Sequence, residues 1–386
     1  MKRALLRAGM VGVVVVAGLG FWLQRGLRAR AAPHQPTPKL TLGAYADPRT
    51  VADATRWQAF LQRADTTTVN AVALDLVTPA GVHFTSGNGL AADLAAPARA
   101  SFALATRVAQ AHAHRLFVIG RIDVARNPRL VRERPRWAIH TPRGTLWTDA
   151  GGRTAIDVTN DDACAFVGRV AQEAARAGVD EIMLDNLEVP APVPGRPRVL
   201  EATRHDEAAH HAVTACARTV AGAVRRTGAK FGIAMPAGVC LEVSRTGRNG
   251  QRWEDLALVA DRLSPEVYPN ARRATADPYQ AVSSAIAMCY TRTLRLIRDQ
   301  HGEPVRIARL EPWIQAYGAT FGPNGLRAEL RALREHGVGN ALLWNGASDY
   351  DRYAAVLRQQ AGQVVAYNPT AAQWARASQA PAPAGR

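Results

Sequence analysis

The chain reads as an α/β protein, a (β/α)8 TIM barrel forming one large domain behind an N-terminal signal or anchor segment. Three observations carry this. Eight short apolar runs alternate with eight longer stretches of helical periodicity, and that alternation implies a parallel sheet. Helix-stopping glycines, Gly178, Gly228 and Gly337, stand just before the fourth, fifth and eighth runs. The segments that follow strands two, three and four are long, whereas those leading into strands are short. An open doubly wound sheet is the competing architecture. The absence of a G-x-G-x-x-G opening after the first strand counts against it.

In order, the strands are expected at 41–46, 70–76, 115–122, 180–185, 230–236, 262–268, 305–313 and 340–345. The helices between and after them are expected at 51–64, 101–114, 161–177, 206–227, 253–260, 278–300, 324–336 and 350–361. Residues 1–30 stand apart. Lys2, Arg3 and Arg7 precede an apolar run from Ala8 to Leu23, and Arg25, Arg28 and Arg30 follow it. This is the form of a signal peptide or membrane anchor. A Pro-rich linker (31–39) leads to the barrel (40–365), and an Ala/Pro-rich tail (366–386) reads as disordered.

The net charge of +16 is carried almost wholly by scattered arginines. No finger, RNP-type aromatic motif or basic helix accompanies them, so no nucleic-acid partner is expected. The four cysteines (164, 216, 240, 289) lack the C-x-x-C spacing of zinc or redox sites, and Cys164 and Cys216 read as buried thiols on helices, although export would allow pairing. The histidines near 205–211 lack H-E-x-x-H spacing, so neither a metal nor a cofactor is expected.

In a β/α barrel, chemistry sits at the carboxyl ends of the strands. Asp185 ends the fourth run, with Asn186 and Glu188 just beyond. Glu266 lies late on the sixth run, and Asp75 ends the second. Arg121 and Asp123 close the third, and Asp123 reads as a turn cap. Glycosidic cleavage needs one protonated and one ionised carboxyl group about 5–10 Å apart. Asp185, Glu266 and Glu188 are therefore the catalytic candidates. Sugars also present apolar ring faces to aromatic side chains. Tyr268, Trp313 and Trp344, with Asp75, Arg121, Glu311 and Asn345, are the candidate substrate-binding residues, and Trp137 and Trp147 on the third loop are a candidate wall.

An ordered series of motifs spans Leu40 to Asp349. It includes Leu42-Gly43-Ala44-Tyr45, Asn70 to Asp75, Val118 to Ile122, Gly144 to Asp149, Gly178 to Asp185, Pro312 to Gln315 and Leu343-Trp344-Asn345. This series resembles a bacterial glycoside-hydrolase family that is a domain of unknown function, TIM-barrel in fold and distantly α-amylase-like. The resemblance implies a glycoside hydrolase acting on polysaccharide. Three departures stand out against the family's pattern. Asn186-Leu187-Glu188-Val189-Pro190 replaces Tyr-Val-Arg-Phe-Pro, Met235 stands where an Asp is usual, and Ser264-Pro265-Glu266 replaces Ser-Pro-Met. The expectation is an exported glycoside hydrolase, held at the membrane by its N-terminal segment, that cleaves an envelope or extracellular polysaccharide. The alternative is a non-catalytic carbohydrate-binding barrel that has lost its second carboxylate.

Overall fold

Strand faces alternate here between two kinds of burial. The computed structural model describes residues 34–190, 193–201, 209–241, 249–268, 277–299 and 306–359. The segment 1–30, residues 31–33 of the linker, the tail and His205 lie outside the described residues. On β2 (Ala71–Thr78), Ala71 and Ala73 face the barrel interior, while Val72, Leu74 and Leu76 pack outward under the helices. β4 (Phe117–Asp123) repeats this with Phe117 and Ile119 inside and Val118 and Ile122 outside. Because both faces are buried, the strands read as unbroken apolar runs.

The staves close into a barrel. β1 (Leu42–Ala46) pairs in parallel with both β2 and β10 (Ala341–Trp344). Between them run β4, β5 (Glu181–Asp185), β6 (Lys230–Pro236), β7 (Arg262–Glu266) and a split stave made of β8 (Arg309–Leu310) and β9 (Trp313–Gln315). A two-residue strand, β3 (Gly81–Val82), folds back antiparallel on the end of β2. The seventh expected strand, 305–313, is thus shorter and interrupted. Glu311 and Pro312 fall between its two pieces, and Pro312 has no backbone N–H to give a ladder.

Eight helices follow the staves: α1 (Ala54–Asp65), α2 (Leu104–Ala113), α3 (Asp161–Arg176), α4 (Ala209–Arg225), α5 (Trp253–Val259), α6 (Pro278–Asp299), α7 (Pro323–Glu335) and α8 (Ala354–Gln359). α3 shows why these form. The Asn160 side chain accepts from the Ala163 N–H, and Asp161 and Asp162 fill the first turn, where the helix dipole favours negative charge. Ala163, Val167, Val170, Ala171 and Ala174 fall on one buried face. Gly178 then takes φ 102°, a left-handed conformation that lets the chain turn into β5. Gly228 (φ 92°) and Gly337 (φ 72°) do the same before β6 and β10. Among the described residues, no helix is long and apolar enough to cross a membrane.

All four cysteines are paired, which corrects the reading of Cys164 and Cys216 as buried thiols. Cys164 on α3 bonds Cys216 on α4, and Cys240, in the helical turn Gly238–Leu241, bonds Cys289 on α6. The sequence could not give this pairing because it depends on which helices become neighbours. The first bridge closes 52 residues, which by loop-closure entropy stabilises the fold by about 4 kcal/mol. Replacing Cys164 and Cys216 together by Ala is expected to lower unfolding free energy by about that amount in urea denaturation. The residues of the barrel mouth should keep their positions.

Candidate active site

The barrel interior is built in tiers, and the tiers assign the polar residues. At the amino-terminal end, Glu181 opens β5, Arg262 opens β7 and Glu311 sits between β8 and β9. Arg262 Nη1 donates to Glu311 Oε1 at 2.8 Å and lies 3.1 Å from Glu181 Oε2. Both glutamates are fully buried, and Gly232 makes room for one of them: a Cβ there would sit 2.4 Å from Glu181 Oε1. Glu311 was expected beside the substrate. It lies instead at the barrel floor, because the split of the seventh stave sets it level with the start of β7.

Above this floor lies an apolar tier of Tyr45, Ala73, Ile119, Met183, Ala234, Trp313 and Leu342. Trp313 is only 2% exposed and belongs to this packing. It meets Trp344 edge-on, at 5.7 Å and 89°, so Trp344 is the partly exposed ring of the two. The expected stacking floor therefore reduces to Trp344 and Tyr268, which meets Tyr317 edge-on at 6.0 Å. Trp137 packs on Phe166, and Trp147 donates its indole N–H to the Arg196 carbonyl. Both are buried within the loops and make no wall.

The last inward positions form the mouth. Arg121 Nη1 donates to Asp75 Oδ1 at 2.8 Å, and Nη2 donates to Asp185 Oδ2. Tyr45 donates its hydroxyl to the other oxygen of Asp75. The guanidinium carbon lies 5.4, 5.3 and 4.8 Å from the rings of Tyr45, Trp313 and Trp344. Arg121 is thus a buried cation held by two carboxylates and an aromatic box. Burial pulls its pKa down, and Asp75 and Asp185 more than offset that, so it stays charged.

Asp185 receives a second donor, its own neighbour's backbone. Asn186 takes φ 50° and gives its N–H to Asp185 Oδ1 at 2.8 Å. The Asn186 side chain reaches Asp123 Oδ2 at 2.9 Å. Asp123 lies opposite Asp185 in the β4–β5 register. Burial, then the charge of Asp185, pushes its carboxyl up to about 7. Reading Asp123 only as a turn cap missed this coupling. Its Oδ1 does accept from the Arg126 N–H, at 3.0 Å, so the cap is real as well. The i+2 spacing from inward-facing Arg121 was the available signal.

Glu266 ends β7, one stave beyond β6 from Asp185. Burial raises its pKa, Asp185 adds to the rise, and Arg121 and the Tyr268 hydroxyl oppose it. Glu188 lies in the loop after β5, where it accepts from Asn249 Nδ2 at 2.9 Å and sits 3.6 Å from Arg126. Asn345 gives its side-chain N–H groups to the Ala316 and Asp349 carbonyls, at 2.7 and 2.5 Å, and so organises the loop after β10. Met235 packs outward, among the helix-facing residues, while Ala234 fills the inward position on β6. Among the described residues, no group of three or more His, Cys, Asp or Glu side chains could hold a metal ion.

A family model described as "Putative glycosyl hydrolase domain" matches residues 43–350, from β1 to just past β10. The chain belongs to that family. Similar solved structures include the PgaB (BpsB) glycoside hydrolase domain from Bordetella bronchiseptica, at 14% identity and TM-score 0.61, over 83% of this chain and 98% of that one. The α-galactosidase TtGalA from Thermus thermophilus in complex with stachyose is 14% identical with TM-score 0.54, over 85% of this chain and 66% of that one. An α-L-fucosidase isoenzyme 2 from Paenibacillus thiaminolyticus is 16% identical with TM-score 0.53, over 83% of this chain and 48% of that one. At these identities the likeness is one of fold. No curated protein sequence matches the chain.

Two outcomes follow from the charge pattern. Arg121→Met leaves Asp75 and Asp185 without their shared cation, and a loss of about 3–5 kcal/mol is expected in urea unfolding at pH 7. At the barrel floor, burial pushes Glu181 up to about 8 from a usual 4.5, Arg262 opposing and Glu311 adding to the rise. The unfolded chain releases this proton near the usual value and the folded barrel holds it to about 8, so stability falls between those pH values. Glu181→Gln should therefore melt higher than the parent at pH 9, by about 5 °C, and lose that advantage by pH 4.

Proposed function

We propose that the protein is an exported glycoside hydrolase that cleaves an envelope or extracellular polysaccharide. The observation that carries this reading is the pair formed by Asp185 on β5 and Glu266 on β7, inside a barrel of a glycosyl-hydrolase family. One intervening stave sets their backbones about 10 Å apart at the usual strand spacing. Side chains reaching inward from such positions fall within the roughly 5–10 Å that two-carboxylate glycoside hydrolysis uses.

The roles follow from the surroundings. Asp185 has a guanidinium on one oxygen and a backbone N–H on the other, the environment of an ionised carboxylate. It acts as the nucleophile or base. Glu266 is pushed up by burial and by Asp185, the environment of an acid that keeps its proton. It protonates the leaving oxygen. Asp75 and Arg121 fix Asp185, Glu188 stands in reserve in the next loop, and Trp344 and Tyr268 receive the sugar ring. Export, with residues 1–30 as signal or anchor, is supported by the pairing of all four cysteines, which suits an oxidising compartment.

A second reading has one observation in its favour. The inward position on β6 is Ala234, and Met235 points away, so no acid stands on the stave between Asp185 and Glu266. A carbohydrate-binding barrel without turnover would have the same aromatic mouth.

The residues 34–386 protein, screened against bacterial exopolysaccharides, separates the two. Asp185→Asn and Glu266→Gln should each lower kcat by roughly 10²–10⁴-fold while oligosaccharide binding is kept, with Asp185→Asn alone losing stability because it removes one of the two carboxylates on Arg121. Turnover should also fall as pH rises through the elevated Glu266 value. Binding without cleavage by the parent protein on every polymer would favour the binding barrel.

A further inference from the structure

We propose that Asp123, acting through Asn186, is a positioning residue that sets the charge and orientation of Asp185. The inference rests on the reading of Asp185 as the ionised carboxylate of the site, and it assigns a role to two residues that the two-carboxylate mechanism leaves idle.

The geometry is that of a clamp. Asn186 is one of only three non-glycine residues with positive φ among the described residues. A left-handed conformation costs a non-glycine residue energy, and asparagine tolerates it better than most. Here the conformation has a use. It turns the Asn186 N–H back onto Asp185 Oδ1 while the side-chain amide crosses to Asp123 Oδ2 on the neighbouring stave. One residue therefore holds two carboxyl groups that face each other across the β4–β5 ladder.

The two carboxyls differ in their cations. Arg121 is committed to Asp75 and Asp185, and none of its hydrogen bonds reaches Asp123. The cation that does act on Asp123 is Arg126, half-exposed and shared with Glu188 at 3.6 Å, and it only partly opposes the rise. Glu266 and Asp75 complete the mouth, and burial raises the pKa of both. Burial, and then the charge of Asp185, pushes Asp123 up to about 7. While Asp123 is neutral, Asp185 has one strong repulsion fewer. When Asp123 ionises, two adjacent carboxylates repel each other, and Asp185 is pushed from its hold on Arg121 and Asn186.

The variants are chosen to separate position from chemistry. Asn186→Gly keeps the left-handed backbone and the N–H to Asp185 but removes the amide donor to Asp123. A donor to a carboxylate favours its charged form, so its loss should move the Asp123 titration upward. Asp123→Asn keeps an acceptor for Asn186 and removes the titration.

The first readout is ¹³C-carboxyl NMR of the full chain with labelled aspartate, with Asp123→Asn assigning the resonance. It needs no substrate and so stands even if the protein is not a hydrolase. An Asp123 midpoint near neutral pH is expected, moving up by at least about half a pH unit in Asn186→Gly. A midpoint in the ordinary carboxylate range, or one that Asn186→Gly leaves in place, would overturn the coupling. The second readout is the pH profile on a cleaved polysaccharide. Asp123→Asn, always neutral and still an acceptor for Asn186, should keep KM and lose the part of the alkaline decline in kcat that Asp123 causes. An unchanged profile would remove the positioning role. Loss of turnover at every pH would make Asp123 the proton donor itself and overturn the assignment in the other direction.

Discussion

The guanidinium of Arg121 is the interaction on which the mouth of this barrel depends. Asp75 and Asp185 are both drawn to it, and three aromatic rings close around it. Without that cation, two buried carboxylates would repel each other across the barrel end, and burial would drive both to protonate. With it, Asp185 is fixed by the guanidinium on one oxygen and the Asn186 N–H on the other. The remaining acids of the mouth, Glu266 and Asp123, find no cation of comparable burial and are pushed toward the protonated form. One arginine thus gives chemically similar carboxyl groups different surroundings, two of them bonded to a buried cation and two without one.

The same arithmetic operates at the other end of the barrel with a different outcome. Arg262 serves both Glu181 and Glu311, but no solvent reaches either carboxyl group. The floor cluster is therefore a cost in stability that the surrounding packing offsets. Its position also shows why an acid near a strand end cannot be assigned from sequence spacing alone. Glu311 and Glu266 both lie on late-barrel staves, yet one is at the bottom and the other at the rim.

Much of the fold was legible because its signals are local. Apolar runs buried on both faces, glycines before strands and long loops at one end each follow from backbone sterics and burial, which the sequence carries residue by residue. The chemistry of the mouth was legible in part for the same reason: Asp75, Arg121, Asp185 and Glu266 stand at inward positions near the ends of their strands, where alternation puts them. What failed needed three-dimensional neighbours. Trp313 and Trp344 look equivalent in sequence, and only their edge-to-face contact shows which of them is core. Asn345 reads as a mouth residue, but its amide is used by two loop carbonyls. Asp123 reads as a cap, and the register opposite Asp185 gives it a second role. The cysteine partners depended on which helices pack side by side.

The order of those cysteine partners has a consequence for how the chain is made. Each bridge joins cysteines that are consecutive in the sequence, 164 with 216 and then 240 with 289. A chain that enters an oxidising compartment from its N-terminus presents these thiols in pairing order. Oxidation of each thiol with the next one to arrive produces the native set without reshuffling. For a chain delivered that way, the barrel's bridges can form vectorially, each without reshuffling of the other.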